Sequence, residues 1–435
     1  MKSVDERKKH LIRLKESILN YEQEIYQGLK DDLGKSAVES YLTELGFILE
    51  EIKFVIKNLS NWSRPKKVKT PINLFPGKSY IYPEPYGTVL IISPWNYPFQ
   101  LCFSPLIGAI AAGNRVVLKP SEFTTKTSMI LKKIINEVFS DQEVLVIEGG
   151  VEETQRLLKQ KFDYIFFTGS TSVGRIVMKA AAEFLTPVTL ELGGKSPVLI
   201  TDSADLNVAA KRCAWGKFTN AGQTCVAPDY VLIPEKLQEE FISLISHHIK
   251  SFYFSSDDLE YGKIINQKNF DRLLDLIIPE KVAVGGNFER EKLSITPTIL
   301  KNISWSDKIM KDEIFGPILP IIPYSNINEA ITSIKNYPKP LAFYLFGNNK
   351  NMNNKIIQDL SFGGGCINDT LIHLANPYLP FGGVGDSGMG SYHGRKSFET
   401  FSHMKSVFHQ STWVDIPLRY PPYKNKLRWL KFFMG

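Results

Sequence analysis

The sequence predicts an α/β fold built on a parallel sheet. Between Gly87 and Glu191, short apolar runs of strand length alternate with helical stretches. Such alternation reads as a parallel sheet with helices on both faces. Within it, Thr168-Gly-Ser-Thr-Ser-Val-Gly174 joins an apolar run to a helical one, at the strand C-terminal end where open α/β sheets bind ligands. The 435 residues, 43% hydrophobic and 22% charged, suffice for two or three domains and a large core.

Residues 5–62 read as helices, because Leu11, Leu14 and Ile18, then Leu45, Ile48, Ile52 and Val55, recur at helical spacing. Residues 63–87 break that pattern with five prolines and a glycine-containing turn. A strand is expected at Ser79–Tyr82, ended by Pro83 and Pro85. Strand, loop and helix then repeat. Strands are expected at 88–92, 115–118, 144–147, 164–167 and 188–191. The intervening helices are expected at 101–112, at 151–159 and from the end of the 168–174 loop to Phe184, with another opened by Lys119-Pro-Ser-Glu122 and running to Phe139. The second half repeats this grammar more loosely, with helices at 206–218, 235–250 and 266–276 and a strand at 230–233. The tail sets Tyr420, Tyr423, Trp429 and Phe432 among Lys424, Lys426, Arg428 and Lys431.

Fifty-two basic and 45 acidic residues are interspersed, a formal net charge of +7, which argues against a nucleic-acid partner. The four cysteines lie far apart without CxxC spacing, so neither a metal site nor a disulfide framework is expected, as suits a reducing cytoplasm. The charged N-terminus lacks the apolar core of a secretory signal. No stretch approaches the ~18 apolar residues of a membrane span.

One stretch organises the chemistry: Phe218-Thr-Asn-Ala-Gly-Gln-Thr-Cys225-Val-Ala-Pro-Asp229. Small and polar residues crowd this cysteine at an element boundary, where nucleophiles often sit. The plain alternative is a buried small hydrophobe. Asn96, between Trp95 and Tyr97, forms an Asx-type turn or donates an amide to an oxyanion. Glu191 and Glu313 are cap or turn residues, or general bases. Gly169–Gly174 has P-loop glycine spacing, but Arg175-Ile176 replaces the required Lys-Ser/Thr. Its backbone N–H groups still suit a pyrophosphate at a helix start. Gly383-Val-Gly-Asp-Ser-Gly388 matches G-x-G-x-x-G but follows no strand, so it reads as a chance match.

Together these blocks resemble the NAD(P)-dependent aldehyde dehydrogenase superfamily over nearly the whole chain. They are Pro94-Trp-Asn-Tyr-Pro98, Leu118-Lys-Pro-Ser-Glu122, Phe167–Gly174, Leu190-Glu-Leu-Gly-Gly-Lys-Ser-Pro197, Gly222-Gln-Thr-Cys225, Glu313-Ile-Phe-Gly-Pro317 and Pro380-Phe-Gly-Gly383, all in family order. Ala214-Trp-Gly-Lys-Phe218, Tyr392-His-Gly394 and Leu418-Arg-Tyr-Pro-Pro-Tyr423 are most similar to the class 3 group.

The resemblance implies a Rossmann-like cofactor domain over 1–193, carrying a bridging excursion at 67–85, and an α/β catalytic domain over 194–386. Residues 387–435 return to the bridging region with a strand at 401–410. It implies oxidation of an aldehyde to a carboxylic acid with NAD, or NADP, as hydride acceptor. Cys225 is then the nucleophile, Asn96 an oxyanion donor, and Glu191 the base that activates water, with Glu313 in reserve. Trp95, Lys119, Glu122, Gly169, Ser170, Gly174, Glu313 and Phe315 would contact the cofactor. Tyr97, Trp215, Thr224 and Phe381 would line the aldehyde tunnel. The implied assembly is a homodimer, with the basic aromatic tail covering the tunnel mouth or touching a membrane surface peripherally. A CoA-acylating relative and a catalytically silent structural one are the alternatives; Glu191 favours hydrolysis over the first, and Cys225 with Asn96 disfavours the second.

Overall fold

A computed structural model describes residues 2–254, 261–415 and 417–434. The chain opens with a helical layer, Val4–Asn20, Glu22–Leu33 and Gly46–Trp62. Ser3 begins it with a reciprocal cap: its hydroxyl accepts from the Glu6 N–H, and the Glu6 carboxylate accepts from the Ser3 N–H. Leu11, Leu14, Ile18, Ile48, Ile52 and Val55 face inward and are fully or almost fully buried. They pack on two long helices of the first sheet, Gln100–Ala112 and Thr125–Val138.

That sheet has six strands. Its order is Gly388–Met389, Val188–Glu191, Tyr164–Thr168, Thr88–Ile92, Arg115–Lys119 and Val144–Val146. All are parallel except the two-residue edge strand Gly388–Met389, which runs against Val188–Glu191. The Gly383–Gly388 stretch therefore finishes a sheet edge and opens no helix. Thr88–Ile92 lies between the later strands Tyr164–Thr168 and Arg115–Lys119, so the strand order reverses there. A crevice at the strand carboxyl ends follows from that reversal, and both the Pro94–Pro98 loop and Gly169 emerge into it.

A second sheet of seven strands runs Val282–Val284, Thr298–Leu300, Ile318–Tyr324, Tyr230–Pro234, Pro197–Ile200, Ala342–Phe346 and Gly364–Ile367. Only Val282–Val284 is antiparallel to its neighbour. A third sheet sets Lys78–Pro85 between Lys66–Val68 and Ser402–His409, antiparallel to both.

Two sequence expectations need correction. The strand expected to stop at Tyr82 continues through Pro83 to Pro85. Lys66–Val68 pairs only with Ser79–Ile81, so both prolines lie where one side of the strand has no ladder to interrupt. The helix expected to open at Lys119–Glu122 begins a turn later, at Thr125. Its cap is distant in sequence: the Asp32 carboxylate accepts from the Lys126 and Thr127 N–H groups at 3.3 and 2.8 Å.

Candidate active site

The Leu206–Phe218 helix, capped by Asp205 at the Val208 N–H, delivers the chain to Cys225. Asn220, Ala221 and Gly222 then all take left-handed backbone conformations, with φ of 53°, 50° and 74°. Three in succession are costly, and the surroundings hold them. Asn220 donates its N–H to Glu39 at 2.8 Å and its side-chain amide to the Asn96 carbonyl at 2.8 Å. The Gln223 amide donates to the Asn220 and Lys263 carbonyls and accepts from the Ile265 N–H, all at 3.0–3.1 Å. Gly222 leaves no room for a side chain: a Cβ there would lie 2.3 Å from the Gly316 carbonyl oxygen. The residues before the cysteine thus build a rigid support.

Cys225 itself is half-buried on the cavity wall. Burial pushes its thiol up, and the nearby Glu313 and Glu191 carboxyls push the same way. The Cys225 and Val226 N–H groups point at the sulfur and oppose this in part.

Asn96 is held from the opposite side. Its amide donates to the Gln223 carbonyl at 3.0 Å. Its own carbonyl accepts from Asn220 and from Lys35 Nζ, the latter at 3.1 Å. Lys35 also pairs with Glu44 at 2.5 Å, and both side chains are wholly buried. The other Glu44 oxygen accepts from the Phe99 and Gln100 N–H groups, at 2.9 Å each. Lys35 Nζ lies 3.9 Å from the centre of the Tyr97 ring, whose hydroxyl shares a 2.6 Å hydrogen bond with Thr224. One buried ion pair therefore fixes the Pro94–Gln100 loop and reaches the residue beside Cys225.

Glu191 ends its strand with both carboxyl oxygens buried and without a hydrogen-bond partner among the described residues. Burial raises it well above the usual carboxylate range. Burial and Asp229 push Glu313 up to about 8, against the Gly194 N–H, Lys195 and Lys217. Gly193 is required beside it, since a Cβ there would sit 2.0 Å from the Glu313 carboxyl. Lys195 anchors the loop by donating to Asp229 at 2.6 Å and to the Ile309 and Asp312 carbonyls at 2.9 Å. Asp229 in turn accepts from the Ile314 N–H at 3.0 Å.

Cys225 lies between two cavities. The larger, about 560 Å³, opens from the carboxyl ends of the first sheet. Trp95, Asn96, Gly169, Ser170, Glu191, Glu313 and Phe315 line it. Phe315 stands edge-on to Trp95, with ring centres 5.4 Å apart. The smaller, about 250 Å³, is lined by Tyr97, Trp215, Thr224 and Phe381. Cys225, Leu101, Phe381 and Tyr392 border both.

Lys119, Glu122 and Gly174 line neither cavity. Lys119 is buried, donates to the Pro120 carbonyl at 2.8 Å and lies 3.8 Å from Glu122. At Gly174 a Cβ would meet the Leu192 side chain at 2.5 Å, so this glycine admits close helix–sheet packing. Among the described residues, none beyond His393 lines the smaller cavity. Sequence reasoning missed Lys35, Glu44, Lys195 and Asp229 as supports, and Arg272 and Asn269 on the larger cavity's wall. Tyr392, part of the class 3-like Tyr392-His-Gly394 stretch, borders both cavities.

The larger cavity suits a dinucleotide. The twelve-residue helix Thr171–Ala182 starts there, capped by Ser170 at the Val173 N–H, and such a start attracts phosphate. The Glu191 carboxyl, without a hydrogen-bond partner among the described residues, lines the same cavity. A cofactor-sized crevice beside an apolar pocket, at the carboxyl ends of a doubly wound sheet, fits a dinucleotide-dependent oxidoreductase. The chain belongs to the aldehyde dehydrogenase family, whose profile matches residues 1–407. It is 51% identical to the 4,4'-diaponeurosporen-aldehyde dehydrogenase of Staphylococcus aureus, over 99% of this chain and 95% of that protein. It is 47% identical to the dimeric NADP-preferring aldehyde dehydrogenase of Mus musculus, over 93% of this chain and 90% of that protein. A solved structure of Staphylococcus aureus AldH in its substrate-bound state superposes with a TM-score of 0.98 at 50% identity, covering 100% of this chain and 96% of that one. The chain thus has the aldehyde dehydrogenase fold, and the enzyme uses NAD(P).

Proposed function

We propose that the enzyme oxidises hydrophobic aldehydes to carboxylic acids at the expense of NAD(P), with Cys225 as the nucleophile that forms a thiohemiacetal and then a thioester. The position of its sulfur between the two cavities carries this reading. The thiolate attacks the aldehyde carbon, and the carbonyl oxygen becomes an oxyanion. The Asn96 amide and the Cys225 N–H stabilise it; one such donor is typically worth ~3–4 kcal/mol. NAD(P), when bound, supplies the hydride acceptor, with Trp95, Gly169, Ser170, Glu313 and Phe315 as its contacts. Glu191 then takes a proton from water, which attacks the thioester, and Cys225 leaves as thiolate with release of the carboxylate. A buried carboxyl with a raised proton affinity is a stronger base than an exposed one. Glu313 is the reserve base.

The smaller cavity presents Tyr97, Trp215 and Phe381, an aromatic and uncharged wall. Aliphatic chains beyond acetaldehyde and aromatic aldehydes fit it. The Staphylococcus aureus relative, named for 4,4'-diaponeurosporen-aldehyde, supports long apolar substrates. We place the enzyme in the cytoplasm as a homodimer, joined through the sheet of Lys78–Pro85 and Ser402–His409. Its exposed tail, Trp429 and Phe432 among lysines, would touch anionic membrane surfaces. Among the described residues no helix is long and apolar enough to cross a membrane. Cys225→Ala tests the reading: NADH formation from hexanal should disappear while NAD binding persists. Near-normal NADH formation would remove Cys225 from the mechanism.

A further inference from the structure

The pocket beside Cys225 is small for a long aldehyde. At ~30 Å³ per water-sized group, its 250 Å³ holds about eight such groups. The carbons of a longer chain must emerge at its mouth.

A second cavity, about 570 Å³, adjoins that mouth. Leu42, Phe47, Leu374, Ala375 and His393 line both. From this shared rim the outer cavity follows the Gly46–Trp62 helix past Phe54 to Lys57. The ten residue steps from Phe47 to Lys57 span ~15 Å at 1.5 Å per residue. Its walls are largely aromatic and aliphatic. Phe54 stands edge-on to Tyr378 at 5.1 Å, and the Phe47 ring lies 5.3 Å from that of His393.

Burial drives both titratable groups in this wall toward their neutral forms. Burial pushes the Glu51 carboxyl up to about 8, although Ser104 donates to it at 2.5 Å. Burial also pushes the His393 imidazole down to about 3. The wall's charges, Glu50, Lys53 and Lys57, sit at its solvent edge. A π-helical turn, Tyr41–Leu45, shapes the rim. It exposes Tyr41 and Leu42 toward the cavities while turning Glu44 inward to Lys35. Such turns recur at functional sites.

We propose that this outer cavity is a second substrate subsite, holding the distal part of extended apolar aldehydes whose head occupies the inner pocket. Its continuity with the inner pocket and an apolar inner wall, with Glu50, Lys53 and Lys57 confined to the solvent edge, single out a hydrocarbon chain as the occupant. The proposal rests on the reading of the inner pocket as the aldehyde tunnel.

The test is kcat/KM for saturated aldehydes from six to sixteen carbons, each below its solubility limit. Full burial gives up to about fourfold per methylene in the inner pocket, and half-burial in the open outer groove gives about twofold. The profile should therefore keep rising beyond eight carbons with a lower slope. Tyr41→Glu places a charge on the outer wall and should lower the sixteen-to-six-carbon ratio of kcat/KM at least tenfold. Lys57→Leu lengthens the apolar wall and should raise that ratio. A wild-type plateau at eight carbons, or proportional losses at every length in Tyr41→Glu, would overturn the subsite. A plateau relieved by Trp429→Ala would assign the cavity to the chain's own tail and overturn it equally. No oxidation even of hexanal would instead remove the dehydrogenase reading beneath it.

Discussion

Replacing Lys35 by Met should slow catalysis by an amount that repairing the fold does not recover. Lys35 and Glu44 form an ion pair without solvent exposure. Removing one partner of such a pair costs ~3–5 kcal/mol, because the other charge stays buried. Here Glu44 keeps the Phe99 and Gln100 N–H donors, so the loss belongs at the lower end, about 3 kcal/mol. The double variant Lys35→Met/Glu44→Gln removes both charges yet keeps an acceptor for those two donors. Its stability should return to within ~1 kcal/mol of wild type, as replacing a whole buried pair is often neutral. Neither variant restores the Lys35 contact to the Asn96 carbonyl, a 3.1 Å bond, or the cation against Tyr97. A displacement of ~1 Å at a catalytic group can cost 10²-fold, so kcat should fall by roughly 30- to 100-fold in both variants, with KM for hexanal nearly constant. Urea denaturation and steady-state NADH formation on the same samples give the two numbers. A double variant that regains both stability and kcat would show that the pair serves the fold alone.

Glu191→Gln should preserve a rapid first burst of NADH and slow the later turnover at least 10²-fold, since general-base catalysis is typically worth 10²–10⁴; stopped-flow traces without a burst would move Glu191 to an earlier step, and the same pattern in Glu313→Gln would make that residue the base. Although Glu122 lies outside the larger cavity's wall, a cofactor ribose extending beyond that wall to it would donate its 2′-hydroxyl to the carboxylate, whereas a 2′-phosphate would be repelled, so NAD should give the higher kcat/KM; a clear wild-type preference for NADP would exclude that role. Glu51 carries a sign that can be checked. Its folded value, about 8, lies above its ordinary 4.5, so between those pH values the folded state retains a proton that the unfolded state has lost. Stability therefore falls as pH rises from about 4.5 to about 8. Glu51→Gln should flatten part of that fall in Tm, and parallel wild-type and variant curves across this range would refute the buried neutral acid.

Much of the first sheet was legible because its strands are local apolar runs and its helices follow at once. Thr88–Ile92 and Tyr164–Thr168 are both such runs. What escaped was set by partners distant in sequence. The Thr125–Val138 helix start depends on Asp32, more than ninety residues earlier. The continuation of Lys78–Pro85 through two prolines depends on Ser402–His409, over three hundred residues later. Local propensity carries no information about either.

The site divides along the same line, with a physical reason behind each half. Cys225, Glu191, Asn96 and Glu313, which line one cavity, were legible as candidates because they sit in short stretches of small residues that let a ligand approach, and glycines such as Gly193 and Gly222 leave a mark in one dimension. Lys35 and Glu44 leave none. A lysine and a glutamate nine residues apart on an amphipathic segment look like solvated surface, and only the π turn at Tyr41–Leu45 rotates Glu44 into the core. The same turn exposes Leu42 on the rim between the two apolar cavities. One backbone irregularity thus links the ion pair that holds Asn96 to the wall that would receive the substrate's tail. A substitution that regularised this turn, such as deletion of one residue between Tyr41 and Leu45, should therefore lower kcat for short aldehydes and the chain-length slope for long ones together. If only one of the two changed, the turn would not be their common support.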